Sequence, residues 1–247
     1  MTGQSVRVWW ARLEDGHAGL RALLDPVERA RYEATADPAN RGRFLVGCAL
    51  SRLALGDLLG LPPADVPLRR VCPRCGGPHG KAELALPRAS GGSGVDFSVT
   101  HSGGTVGVAV CRGAAVGLDV EECDARLDVD TVAPGALTDT ELAALYARPA
   151  AERRSAFLRT WTRKEAVLKA LGVGLSVSLR GLEVTAPDAS PAVLAWPEQL
   201  AARPEPAMAD MIVDGTHPAS VAVVGAGALR LDRRDASATV AAYGREG

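Results

Sequence analysis

Asp119 and Glu121 stand two residues apart in VGLDVE, residues 116–121, where the alternate positions are Val116, Leu118 and Val120. In a strand, that spacing puts the three apolar side chains on one face and both acids on the other. Two carboxylates about 4 Å apart repel by roughly 4 kcal/mol at an effective dielectric near 20, so such a pair needs solvent or a cation between its members. Further along, WTRKEAVLK, residues 161–169, has the periodicity of a helix. Glu165 and Lys169 share one stripe with Trp161, and Lys164 turns away from it. A Glu to Lys pair at this spacing is an ordinary surface support worth a few tenths of a kcal/mol. The composition argues for more, because Lys81, Lys164 and Lys169 are the only lysines beside 25 arginines among the 28 basic residues. An ammonium is a compact point charge for a phosphate and can give up a proton, which a guanidinium does not readily do. A third group, Thr100, His101 and Ser102 in the turn THSGG, offers hydroxyls, an imidazole and glycine-freed N–H groups suited to a phosphate. Taken alone, its histidine serves equally well as a polar turn residue.

The elements that must position these residues follow from pattern. VRVWWARL reads as a strand, PVERARYEAT as a helix opening after Asp25-Pro26, and ANRGRFLVGCALSRLALGDLLGL as a longer helix closed by Gly60. From Val95 the period changes to two. VDFSVT, TVGVAV and VGLDVE, separated by HSGG and CRGAA, predict three strands of an antiparallel meander. TDTELAALYAR opens on a Thr-x-x-Glu capping box at Thr138 and Glu141, and the helix carrying Glu165 follows. GLEVTAP and the hairpin-like MIVDGTHPASVAVVGAG end the chain in β structure. Phe44-Leu45 recurs as Phe157-Leu158, and TVGVAV from Thr105 resembles SVAVVG from Ser220, at nearly equal offsets. The expected fold is α+β, a pseudo-dimer of two similar halves, each a small antiparallel sheet with a long helix. The halves are residues 1–112 and 113–247, with a ligand cleft between them.

With 247 residues, 47% of them hydrophobic and 23% charged, the chain can bury a sizeable core. A formal net charge of −1 argues against nucleic-acid binding driven by bulk charge. No apolar run is long enough to span a bilayer, and the N-terminus has no secretory pattern, so the expected setting is cytoplasmic and away from membranes. Five cysteines, mostly scattered, do not suggest a disulfide framework. Cys72, Cys75 and His79 could give zinc three ligands, but no fourth is evident, and a tight Pro/Gly turn with incidental cysteines is the alternative.

VGLDVE followed by WTRKEAVLK, with Gly80-Lys81, the THS turn and a basic helical region upstream, resembles the paired signature of the 4′-phosphopantetheinyl transferases. The duplicated length is similar to the Sfp type. The resemblance implies a Mg²⁺ site, with Mn²⁺ also possible, made of Asp119, Glu121 and Glu165 and completed by water and the diphosphate of coenzyme A. It makes Glu165 and Lys169 catalytic, Lys169 holding the phosphate under attack. It assigns Arg31 and Arg43 to the 3′-phosphate of coenzyme A, Lys81 to the adenine, and Thr100 and His101 to phosphate. The implied activity moves the 4′-phosphopantetheine arm of coenzyme A to a serine of an acyl or peptidyl carrier protein, releasing 3′,5′-ADP from a monomeric enzyme. Two alternatives stay open: a Mg²⁺-dependent transferase or hydrolase acting on another diphosphate, and a non-catalytic coenzyme A-binding module.

Overall fold

The structure, a computed structural model, describes residues 3–71, 76–77, 80–85, 94–174, 177–225 and 227–244. Strand β1 (Gln4–Arg12) is followed by helices α1 (Pro26–Ala34) and α2 (Pro38–Leu59). Strands β2 (Leu68–Arg70), β3 (Ala82–Leu84), β4 (Val95–Ser102), β5 (Thr105–Arg112) and β6 (Val116–Val120) come next. Helices α3 (Val129–Ala136), α4 (Asp139–Tyr146) and α5 (Ala150–Leu171) precede β7 (Glu183–Val184), β8 (Val193–Ala195), β9 (Pro206–Val213), β10 (His217–Val224) and β11 (Leu229–Asp235), and α6 (Ser237–Ala242) ends the series. The result is a mixed α+β chain that divides into two compact units.

One unit holds Ser5–Gly113 and Arg230–Gly247. Its sheet runs β11-β1-β5-β4, so the strand latest in the chain lies beside the earliest. Asp25 starts α1 by accepting the Glu28 N–H at 2.8 Å, and the Glu28 carboxylate returns the bond to the Asp25 N–H. Buried Glu28 also pairs with buried Arg52 of α2 at 2.8 Å, which ties the short helix to the long one. α2 lays Leu45, Leu50 and Leu55 into a core with Phe97 of β4 and Val106, Val108 and Val110 of β5.

The other unit holds Ala114–Leu229, with Gln4 donating its N–H to Ala228 O at 2.8 Å. Its sheet runs β6-β10-β9, with α5 packed on β6 and β10. Here the meander expectation is corrected: β4 and β5 form a hairpin, but β6 leaves their sheet and pairs with β10. The reason lies in the repeat. VGLDV is the opening strand of the second unit, in the place β1 takes in the first, beside the strand that carries the repeated Val-rich segment. Phe44-Leu45 and Phe157-Leu158 fall in α2 and α5, both 22 residues long. The polar segment before Thr138, which carried no expected element, folds into α3, capped by Asp128 accepting the Thr131 N–H at 3.3 Å.

Candidate active site

β6 is held unusually close to α5. Gly117 faces the helix at a point where a Cβ would stand 1.9 Å from Ala166 O, so only glycine admits this approach. Strand alternation puts Asp119 on the same helix-facing side, opposite Ser220 of β10 in the ladder. The expected division of β6 into an apolar face and an acidic one holds, but the acidic face is buried too rather than turned to solvent. Val116, Leu118 and Val120 are buried on one side of β6 and Asp119, 4% exposed, is buried on the other.

α5 supplies the rest. It continues through Lys169 and stops at Gly172, whose left-handed φ of 70° lets its N–H cap Leu168 O and Lys169 O. Lys169 Nζ donates to Asp119 Oδ1 at 2.6 Å and to Leu118 O at 3.2 Å. One turn earlier lies Glu165, 9% exposed, whose Oε1 is buried without a hydrogen-bond partner among the described residues. Burial, and then the charge of Asp119, push the Glu165 carboxyl above its ordinary value, while Lys169 pulls it back. The two acids and the lysine thus form one electrostatic unit on facing elements.

The neighbours of Glu165 on α5 are also buried, and they have other partners. Lys164 is fully buried. Its ammonium donates to Ala136 O at 2.9 Å and Leu179 O at 3.1 Å, and pairs with Glu141. Burial lowers its pKa and Glu141 raises it, burial being the larger influence. Glu141 in turn accepts the N–H groups of Thr138 and Val184, so Lys164 joins α3, α4 and β7 to α5 and takes no part in the acidic site. Arg163, also fully buried, donates to Thr185 O, Ala186 O and Ala189 O at 2.8 Å each and to Asp210. Asp210 accepts from Ser220 Oγ, which meets Thr162 Oγ1 at 3.1 Å. These supporting residues escaped the sequence reading because consecutive charged residues in a helix resemble a solvated face. The scarcity of lysine was the one signal that pointed to Lys164. A cavity of about 210 Å³, lined in part by Leu137, Leu145, Glu141, Val184 and Leu194, lies against the same helix, but Asp119, Glu165 and Lys169 are not in its wall.

Glu121 follows the last residue of β6 and donates its N–H to Pro218 O at 3.0 Å. Among the described residues, no three His, Cys, Asp or Glu side chains gather into a cluster able to hold a metal ion. What the structure brings together is Asp119 with Glu165. Hard carboxylate oxygens, one of them buried and unbonded, fit a hard cation such as Mg²⁺.

In the N-terminal unit, Arg43 Nε donates to Gly103 O at 2.7 Å, and Arg31 lies over the Phe44 ring at 4.7 Å. Arg43 is thus anchored at the β4–β5 turn and Arg31 against α2. Thr100, His101 and Ser102 belong to β4 itself, and the turn narrows to Gly103-Gly104, which corrects the expected THSGG turn. Thr100 is buried and His101 exposed. Lys81 pairs with Asp96 at 2.7 Å, at the opposite end of β4 from His101. Cys72, Cys75 and His79 lie outside the described residues. No helix among the described residues is long and apolar enough to cross a membrane.

Residues 115–216, the stretch that contains Asp119, Glu165 and Lys169, match the model of the 4′-phosphopantetheinyl transferase superfamily. Over this stretch the chain is similar to that superfamily. The 4′-phosphopantetheinyl transferase HetI of Nostoc sp. is 28% identical over 92% of this chain and 91% of its own length. A putative 4′-phosphopantetheinyl transferase of Synechocystis sp. is 30% identical over 69% of this chain and 64% of its own. Among solved structures, the holo-acyl-carrier-protein synthase of Thermotoga maritima aligns at 21% identity with a TM-score of 0.36, covering 47% of this chain and 65% of that one.

Proposed function

We infer that this enzyme transfers the 4′-phosphopantetheine arm of coenzyme A to a serine of an acyl or peptidyl carrier protein. The observation that carries the reading is the ion pair of buried Asp119 with Lys169, with buried Glu165 one turn before that lysine on α5, inside the segment that matches the superfamily.

The serine Oγ attacks the phosphorus that bears pantetheine, the P–O bond to the bridging oxygen breaks, and 3′,5′-ADP departs. Glu165 takes the serine proton. In the metal-free protein, burial and the neighbouring Asp119 raise the proton affinity of this carboxylate. Lys169 faces the charge that grows on the leaving oxygen, as a point charge on a flexible stem. Asp119 and Glu165 would hold Mg²⁺, which when bound neutralises the diphosphate; Glu121, which the resemblance makes a third ligand, does not join them in one cluster in this structure. In the N-terminal unit, Arg31, Arg43, Lys81, Thr100 and His101 would bind the nucleotide part of coenzyme A. The nearly complete alignment with HetI and the division of this chain into two units, more than any local feature, favour the Sfp type.

Chromatographic measurement of 3′,5′-ADP tests this. Its release from coenzyme A should require an apo carrier protein and a divalent cation. Release at the same rate without the carrier would point to hydrolysis and reject the transfer.

A further inference from the structure

Lys169 donates to two atoms of β6. Its ammonium sits 2.6 Å from Asp119 Oδ1 and 3.2 Å from Leu118 O. Asp119 is also a carboxylate that the reading above assigns to Mg²⁺, a cation that binds carboxylate oxygen at roughly 2.0–2.1 Å. An ammonium and a cation cannot both settle on that oxygen without strong mutual repulsion. The two lysine heads on α5 differ in freedom. The Lys164 side chain is 0% exposed and locked among carbonyls, whereas that of Lys169 is 28% exposed and can swing aside without opening the core.

We propose that Lys169 is an exchangeable counter-ion: it neutralises Asp119 in the metal-free protein, and a divalent cation displaces its ammonium, which then becomes available to the diphosphate. This rests on the metal reading of Asp119 and Glu165. The exchange lets the protein fold without an uncompensated carboxylate beneath α5. It also couples the two ligands, because the metal frees the group that holds the phosphate.

The presence of only three lysines makes the test direct. Protein labelled with ¹³C,¹⁵N-lysine is titrated with Mg²⁺ in the absence of coenzyme A while the side-chain ammonium signals are followed by NMR, Lys169→Met supplying the assignment. Mg²⁺ should shift the Lys169 signal and speed its proton exchange, and leave those of Lys81 and Lys164 in place. By calorimetry, Lys169→Met should bind Mg²⁺ on the order of tenfold more tightly than the parent. Mg²⁺ binding that leaves the Lys169 signal unmoved, or binding no tighter in Lys169→Met, overturns the exchange and leaves the metal reading standing. Binding that Asp119→Asn does not weaken, or no binding with or without coenzyme A, overturns both.

Discussion

Gly117 and Ala166 meet backbone to backbone: a Cβ on Gly117 would stand 1.9 Å from Ala166 O and 2.5 Å from the Ala170 nitrogen. This contact sets the distance between β6 and α5, and with it the reach of Lys169 to Asp119. Gly117→Ala must push strand and helix apart. It should destabilise the fold by about 1–3 kcal/mol, the usual range for overpacking, and lower transfer in the fraction that folds. Urea unfolding beside a transfer assay checks both; unchanged stability would mean that the contact is looser than described.

Asp119→Asn removes the carboxylate shared by Lys169 and the proposed cation. Transfer should fall by at least a hundredfold or so, since even the outer supports of a metal site can cost that much. Circular dichroism should show a folded protein. Full activity in this variant would remove Asp119 from the site.

Glu165 gives the fold a pH dependence of definite sign. Its carboxyl is raised by burial first and by Asp119 second, so the folded protein holds the Glu165 proton more tightly than the unfolded chain does. The ionised group therefore weakens the fold at pH above its folded pKa, and this weakening fades as pH falls through that value. Measured in EDTA, Glu165→Gln should be more stable than the parent at neutral pH, with the difference shrinking as the pH falls toward the ordinary carboxylate range. A difference that grows on acidification would contradict the assigned direction.

Lys164 should behave differently from Lys169. Lys164→Met leaves the Glu141 carboxylate without its buried cation and should cost about 3–5 kcal/mol, the scale for breaking a buried pair from one side. Adding Glu141→Gln should recover part of the loss, because the amide carries no charge, although its single oxygen can keep only one of the two N–H bonds that the carboxylate accepts from Thr138 and Val184. Denaturant unfolding of the single and double variants measures the coupling. Simple addition of the two losses would show the pair to be independent.

Much of this was legible in the sequence because it is written in local periods and caps. The Asp25-Pro26 helix start, the Thr138 and Glu141 capping box, and the two long helices with their Phe-Leu steps are all present where the pattern put them. Asp119, Glu165 and Lys169 could be singled out from alternation, helical spacing and the scarcity of lysine. The partners of β6 could not be read this way. Hairpin proximity favours a meander, and only the pairing of Asp119 with Ser220, about a hundred residues away, decides otherwise. Nor does a run such as Arg163-Lys164-Glu165 announce that all three residues are buried, because the partners of Arg163 and Lys164 are carbonyls and acids distant in the chain.

The central claim, that Asp119, Glu165 and Lys169 move a phosphopantetheine arm, is tested most directly by the intact mass of an apo carrier protein. The carrier is incubated with this protein, coenzyme A and Mg²⁺, beside an EDTA control and the Glu165→Gln variant. A gain of one phosphopantetheine arm that EDTA abolishes and Glu165→Gln greatly slows is the predicted result. A folded protein that leaves several unrelated apo carriers at their original mass, or modifies them equally well with Glu165→Gln, would contradict the account.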